Sequence, residues 1–265
     1  MMGARKIQLV IPMAGLGSRF SDAGYTVPKP LLDIHGAHMF QVVLANLVND
    51  FICKVVLIVP KIWNLSDDFR SLESALGIAV EVVEVEGLTD GPAGSVEMAK
   101  KYLDPSLPVV TANSDQYLDA DLTEFYGDVV GGQYAGVILA MEDKDPKWSY
   151  AKVDETGKLM EVREKVVISN LATVGVYGFE SASIMFDAID RMREDEASVN
   201  GEYYVGPSYN YILTEKGGVA VTNLGPVGDI MHGLGIPRDY ESFILTGTSK
   251  HAAGLANSIF HKDMM

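Results

Sequence analysis

Cys53 is the only cysteine among 265 residues, so no internal disulfide can form and a reducing compartment is expected. The sequence is also short of positive charge: 21 Lys and Arg face 36 Asp and Glu, a formal net charge of −15. So large an acidic excess argues against a nucleic-acid partner, which needs a basic face to neutralise phosphates. It would also repel a small anionic ligand unless local cations or a metal ion reverse the field. No apolar run approaches the roughly 18 residues of a membrane-spanning helix. The run over 7–13 is interrupted by Gln8 and followed by Arg19, which suits a buried first strand better than a secretion signal. These absences lead to the expectation of a cytoplasmic chain without a membrane or nucleic-acid partner.

What is present is an ordinary globular composition, with no fixed-period repeat, linker or low-complexity tract. The length falls near the 250–300 residues, roughly, at which single cores stop growing. One domain over 1–246 is therefore expected, followed by a small, polar tail at 247–265. Residues 252–260 of that tail suit a short helix or no fixed structure, and the tail is the candidate contact in a homo-oligomer.

The first half alternates strand and helix patterns. Apolar runs at 7–13 and 55–59 suit strands buried on both faces, and 80–85 mixes apolar and acidic residues like an edge strand. Helical spacing appears at 39–48, 67–76 and 93–103, and the strand predicted at 108–112 runs into Asn113-Ser114-Asp115-Gln116. Strands separated by helices predict right-handed crossovers and a mainly parallel sheet in an α/β fold. Ligands in such sheets sit at the carboxyl ends of strands, near a switch in strand order. That places the polar segments 14–19 and 113–116 together. After about residue 145 the pattern predicts a hairpin over 149–162, a strand over 171–179, and further helices at 181–193, 205–215 and 237–245 around a strand at 218–223.

The richest segment is Ile11-Pro12-Met13-Ala14-Gly15-Leu16-Gly17-Ser18-Arg19-Phe20, followed by Val27-Pro28-Lys29-Pro30-Leu31. Glycines just past a strand let backbone N–H groups approach phosphate oxygens. Arg19 adds a permanently charged fork, and Lys29 is held between two prolines that stiffen its backbone. A dinucleotide fingerprint needs a third glycine where Phe20 stands, and a P-loop needs Gly-Lys-Ser/Thr, so neither standard phosphate motif fits. Read alone, the segment is equally a glycine-rich turn with a solvated Arg and Lys.

Gly15-x-Gly17-x-Arg19 with Pro28-Lys29-Pro30-Leu31 resembles the opening signature of the nucleotidyltransferases that make nucleotide sugars. Gly91-Pro92-Ala93-Gly94-Ser95 resembles their small-residue segment beside the nucleobase, and Asn113-Ser114-Asp115-Gln116 their metal-binding aspartate at a strand end. Glu161-Val162-Arg163-Glu164-Lys165 resembles the segment that meets the acceptor, and the stretch from Asn170 to Tyr177 the strand that follows it. The likeness spans roughly 5–245. It implies a three-layer α/β/α fold whose mixed, mainly parallel sheet carries an inserted hairpin-and-helix half for the acceptor.

It also implies roles. Ala14, Gly15, Leu16, Gly17 and Ser18 would hold the triphosphate together with Arg19, while Lys29 offsets charge at the α-phosphate. Gly91, Pro92, Ala93, Gly94, Ser95 and Asn113 would complete the nucleotide site. Asp115 would bind Mg²⁺, a hard cation suited to oxygen ligands. Glu164, Lys165, Asn170, Thr173 and Tyr204 would receive the acceptor. The family often places a second aspartate just before a Gly-Thr pair. Here Val227-Gly228-Asp229-Ile230-Met231-His232-Gly233-Leu234-Gly235 puts Gly233 in that place if Gly235 aligns, leaving Asp229, His232 or water as the second metal ligand. The implied reaction joins a nucleoside triphosphate and a phosphorylated small molecule, most often a sugar 1-phosphate, and releases pyrophosphate. Two other readings stay open: a metal-dependent glycosyltransferase, whose carboxylate motif Asn113-Ser114-Asp115 also resembles, and a catalytically silent nucleotide-sugar sensor.

Overall fold

The computed structural model describes residues 5–65, 69, 71–228 and 230–261. Its strands in chain order are β1 (Ile7–Pro12), β2 (Asp33–Ile34), β3 (Ala37–His38), β4 (Ile52–Pro60), β5 (Ala79–Val85), β6 (Val109–Ala112), β7 (Gln116–Leu118), β8 (Gly136–Glu142), β9 (Ser149–Val153), β10 (Leu159–Glu164), β11 (Leu171–Phe179), β12 (Val219–Pro226) and β13 (Met231–Gly233). The helices used below are α1 (Ser18–Asp22), α2 (Met39–Leu47), α3 (Leu72–Leu76), α4 (Pro92–Glu97), α5 (Thr123–Gly131), α6 (Ala182–Glu194), α7 (Val205–Ser208), α8 (Pro237–Ile244) and α9 (Gly247–Phe260).

β1 is buried on both faces, as its composition requires. Ile7, Leu9 and Ile11 pack with Phe40, Val43 and Leu47 of α2, while Val10 points the other way towards Ala93, Val96 and Phe186. Gln8, the residue that breaks the apolar run, is only 2% exposed. Its amide donates to the Asp104 carbonyl at 2.9 Å and accepts from the Asp104 N–H at 2.7 Å, so burial leaves neither end of it unsatisfied.

The main sheet runs β10-β9-β11-β6-β1-β4-β5, with β8 on the other edge of β11 and β12 beyond it. β6, β1, β4 and β5 are mutually parallel, and β11 runs antiparallel to β6 and β8. The chain builds outwards from β1 through β4 to β5, then returns to place β6 on the other side of β1. The switch in strand order therefore lies between β1 and β6, with the segments 14–19 and 113–116 just beyond their carboxyl ends.

The expected fold class is the observed one, a mixed and mainly parallel sheet with flanking helices. The predicted strand at 149–153 and that at 171–179 coincide with β9 and β11. The helix expected over 67–76 is described only in part, as α3. Several elements differ from expectation: α5, β7 and β13 were not anticipated, and the helix expected over 205–215 is α-helical only as α7, with a 3-10 turn after it. β8 was not anticipated, although residues 135–141 are continuously apolar and wholly buried in the middle of the sheet. The segment from Gly247, expected as a small polar tail with a short helix or no fixed structure over 252–260, is the 14-residue helix α9. Its Thr246 cap accepts a hydrogen bond from the Ser249 N–H at 3.0 Å, and Ala252, Ala253 and Ala256 are at most 1% exposed. Those small side chains let α9 lie closely on α2, and the polar composition belongs to its outer face. Among the described residues no helix is long and apolar enough to cross a membrane.

Candidate active site

The loop after β1 enters α1 through Gly17, whose φ of +66° lies in the left-handed region that glycine occupies without strain. Phe20 anchors α1 from beneath, meeting Tyr25 and Tyr240 edge-on at centroid distances of 5.2 and 6.0 Å. Arg19, one residue before this anchor, is left exposed at the loop. Lys29 follows in a 3-10 turn opened by Pro28 and stiffened by Pro30, and a Cβ built on Gly17 would lie 3.3 Å from the Lys29 Cβ. The two motifs that lie apart in sequence thus pack against each other.

Asp115 sits between the end of β6 and the start of β7. Its backbone carbonyl accepts from the Leu234 N–H at 2.7 Å, and β7 is paired antiparallel with β13, so both strands hold it in place. Lys29 Nζ donates to Asp115 Oδ2 at 2.7 Å. Burial pushes the Asp115 carboxyl up, but the charge and hydrogen bond of Lys29, with Arg19 behind, hold it below its usual value overall. A Cβ on Gly235 would fall 2.8 Å from Asp115 Oδ2, so the missing side chain at 235 leaves room for this carboxylate.

Two cavities open at the switch point. The first, of about 450 Å³, is walled by Ala14, Gly15, Arg19, Lys29 and Asp115 on one side and by Leu88, Thr89, Gly91, Pro92 and Ser95 on the other. The second, of about 230 Å³, is walled by Lys147, Trp148, Ser149, Glu164, Lys165, Thr173 and Tyr177. Pro12, Pro92, Asn113 and Tyr204 wall both, so the cavities meet at the end of β6.

At that junction Asn113 rests on a bulge in β11. Gly175 has φ +71° and its carbonyl accepts from the Asn113 N–H at 3.0 Å, while pairing of β11 with β8 shifts register between Thr173 and Tyr177. A Cβ on Gly175 would lie 2.0 Å from Asn113 Nδ2. Only glycine at 175 leaves the Asn113 side chain its place.

The second cavity combines cations, hydroxyls and one buried carboxyl. Glu164, 7% exposed at the end of β10, accepts a hydrogen bond from Ser149. Burial pushes its carboxyl above the usual value, opposed by the Ser149 bond and the Lys165 charge. Thr173 and Tyr177 share a hydrogen bond of 2.8 Å, and burial raises the Tyr177 phenol to about 12. Lys165 donates to the Tyr204 hydroxyl at 2.7 Å, and Tyr204 in turn donates to Glu202. Trp148 Nε1 donates to Asp143 at 2.7 Å.

The structure therefore brings Ala14, Gly15, Arg19, Lys29, Gly91, Pro92, Ser95, Asn113 and Asp115 around one cavity, and Glu164, Lys165, Thr173 and Tyr204 around its neighbour. Other expected residues line neither. Leu16 faces an apolar groove with Ile62 and Leu88, and Gly17 and Ser18 shape the entry to α1. Ala93 is buried in α4 and Gly94 abuts Asp90, while Asn170 accepts from the Asp143 N–H through its carbonyl. His232 lies on β13 with its ring near Tyr117 and Phe243. Asp229 lies outside the described residues. Lys147, Trp148, Ser149 and Thr89 also wall the cavities, and the sequence alone did not single them out. The signal available for Lys147 and Ser149 was their position beside the predicted strand at 149–153, opposite Glu164.

A family model described as "Nucleotidyl transferase" matches residues 9–205. The chain is 27% identical over 190 residues to the bifunctional protein GlmU of Methanococcus aeolicus, covering 71% of this chain and 43% of that protein. It is 29% identical over 247 residues to a probable mannose-1-phosphate guanylyltransferase of Oryza sativa subsp. japonica, covering 88% of this chain and 63% of that one. It thus spans about half the length of the curated relatives it matches. The fold is shared with a nucleoside-diphosphate-sugar pyrophosphorylase from Vibrio cholerae, at a TM-score of 0.74 and 24% identity over 90% of this chain and all of that one. It is shared also with the inositol-1-phosphate CTP transferase of T. maritima, at a TM-score of 0.69 and 14% identity over 97% of this chain and 98% of that one.

Proposed function

Since the chain belongs to the nucleotidyl transferase family, we propose that its two cavities hold a nucleoside triphosphate and a sugar 1-phosphate, and that it transfers the nucleotidyl group between them with release of pyrophosphate. The observation that carries this reading is the shared wall of the cavities at Asn113. A transfer between two anions needs both held in contact in a field that offsets their repulsion. The first cavity supplies Arg19 and Lys29 for the triphosphate, and the second supplies Lys147 and Lys165 for the acceptor phosphate.

An acceptor phosphate oxygen attacks the α-phosphorus in line, and the bond to the leaving pyrophosphate breaks. No covalent intermediate on the protein is required, so this chain's work is positioning and electrostatic stabilisation. Arg19 and the backbone of Ala14 and Gly15 hold the leaving pyrophosphate. Lys29, already fixed by Asp115, offsets charge at the α-phosphate. Asn113 stands where the two phosphates meet, and Lys165 orients the acceptor.

Mg²⁺ suits this site. Asp115 is a hard oxygen donor on the cavity wall, with Lys29 bonded to its Oδ2. No group of three or more His, Cys, Asp or Glu gathers to hold a metal among the described residues, so Asp115 would be the protein's ligand there, with Asp229 as the candidate second. When bound, the ion neutralises charge on phosphate oxygens.

The chemistry of the second cavity favours a polyhydroxylated acceptor over phosphocholine. Glu164, Ser149, Thr173 and Tyr177 offer partners for hydroxyl groups. Lys147 lies over a face of Trp148 and Lys165 over one of Tyr204, at 4.6 and 4.7 Å, so a quaternary ammonium entering this cavity would meet two like charges. A pyrophosphate-release screen tests the reading: ATP, CTP, GTP, UTP and dTTP against a panel of sugar phosphates, inositol phosphate and phosphocholine. Turnover of at least one sugar phosphate is expected; turnover of phosphocholine alone overturns the acceptor assignment.

A further inference from the structure

Arg193 stands in the last turn of α6 and lines neither cavity. Its Nη1 and Nη2 grip the Asp90 carboxylate at 2.6 and 2.9 Å, and its Nε and Nη2 grip Glu97 at 2.9 and 2.5 Å. The same guanidinium lies 4.4 Å from the centre of the Tyr203 ring. Asp90 precedes α4 and Glu97 ends it, so one side chain spans the segment that walls the first cavity through Gly91, Pro92 and Ser95. Tyr203 stands between Glu202 and Tyr204, which wall that cavity from the other side, and Tyr204 continues into the second.

The backbones of these segments are also joined. The Tyr203 N–H donates to the Asp90 carbonyl at 2.8 Å, and the Ala93 N–H donates to the Tyr203 carbonyl at 2.9 Å. The approach is so close that a Cβ on Gly91 would lie 2.6 Å from the Tyr203 oxygen, and one on Gly94 2.0 Å from Asp90 Oδ1. The small-residue segment therefore has two faces. Gly91, Pro92 and Ser95 meet the first cavity, while Gly94 makes room for the Asp90–Arg193 pair.

We infer that Arg193 is a positioning residue, fixing the wall at 88–95 against the wall at 202–204 and, through them, the separation of the two substrates. The inference rests on the nucleotidyltransferase reading of the cavities. A planar fork gripping two carboxylates fixes direction as well as charge, which a lysine cannot do. Transfer chemistry is sensitive to such placement, since a shift of about 1 Å costs on the order of 100-fold. Because the 202–204 wall serves both cavities, loosening it acts on both substrates and on turnover rather than on the binding of one.

Two-substrate steady-state kinetics on the full chain, with thermal melting alongside, test this in Arg193→Gln and Arg193→Lys. Arg193→Gln is expected to raise KM for both substrates and to lower kcat by about 10- to 100-fold, with Arg193→Lys recovering only part of the loss. A folded Arg193→Gln whose three parameters stay within about two-fold of wild type overturns the inference, as does a change confined to one KM. Should Arg193→Gln not fold, Asp90→Asn and Glu97→Gln each cut one arm of the clamp and are read in the same way, with the same results supporting or overturning it. Wild-type protein that turns over no pair of substrates overturns the underlying reading; wild-type turnover with silent variants overturns the positioning role alone.

Discussion

At the scale of single residues the account rests on Lys29, Asp115 and Glu164. Replacing Lys29 or Asp115 by Ala is expected to lower turnover by at least about 100-fold, the scale of one preorganised charge contact. Single-turnover assays on folded variants check this, and near-normal rates in both would remove the assigned roles. Glu164 makes a pH prediction. Its carboxyl is raised by burial, so it takes up a proton on acidification at a higher pH than an ordinary glutamate. If its ionised oxygens receive acceptor hydroxyls, kcat/KM for the acceptor falls as pH drops through that raised value, and Glu164→Gln abolishes this acid limb. The stability sign is the reverse of the usual carboxylate case. Ionising a buried Glu164 costs the folded state, so its contribution is most favourable at low pH and declines as pH rises from the unfolded value through the folded one.

At the scale of elements, the strands and helices were legible where periodicity was unambiguous. β9 and β11 are bounded by turn residues and alternate or run apolar cleanly. β8 was not anticipated, although its run is as continuously apolar as that of β1. α9 was legible only as one of two alternatives over 252–260, because its buried face of Ser249, Ala252, Ala253 and Ala256 has no large hydrophobic residue to mark it. The site motifs could be singled out only through their resemblance to a known family, since the same glycines with Arg19 and Lys29, read alone, suit a solvated turn equally well. The Arg193 clamp was not legible, since Asp90, Glu97, Arg193 and Tyr203 are joined only by tertiary packing. α6 offers a test that separates scaffold from chemistry. Ser181 caps it by accepting from the Ile184 N–H at 3.3 Å. Ser181→Ala is expected to lower stability by about 1 kcal/mol in denaturant titration while leaving kcat within about two-fold. Gly175→Ala is expected to cost both, because its left-handed backbone strains an alanine by about 1–2 kcal/mol and its Cβ displaces Asn113: a stability loss together with a fall in kcat/KM for both substrates.

At the scale of the whole molecule, the charge of −15 opposes both proposed anionic substrates, and the cations at the switch point act only at short range. The Debye length falls from about 30 Å at 0.01 M salt to about 8 Å at 0.15 M. Moderate salt should therefore screen the distant carboxylates more than the cavity cations, and kcat/KM for the triphosphate is expected to rise across that range before it declines. A monotonic fall from the lowest salt would show that the local cations already govern approach.

The most direct test of the account is the product balance of wild-type protein given a nucleoside triphosphate, a sugar 1-phosphate and Mg²⁺, followed by phosphorus NMR. The account predicts one pyrophosphate for each nucleotide-linked sugar formed, with both lost together in Asp115→Ala. Release of nucleoside diphosphate from a supplied nucleotide sugar, with no pyrophosphate from any triphosphate and acceptor pair, would contradict it.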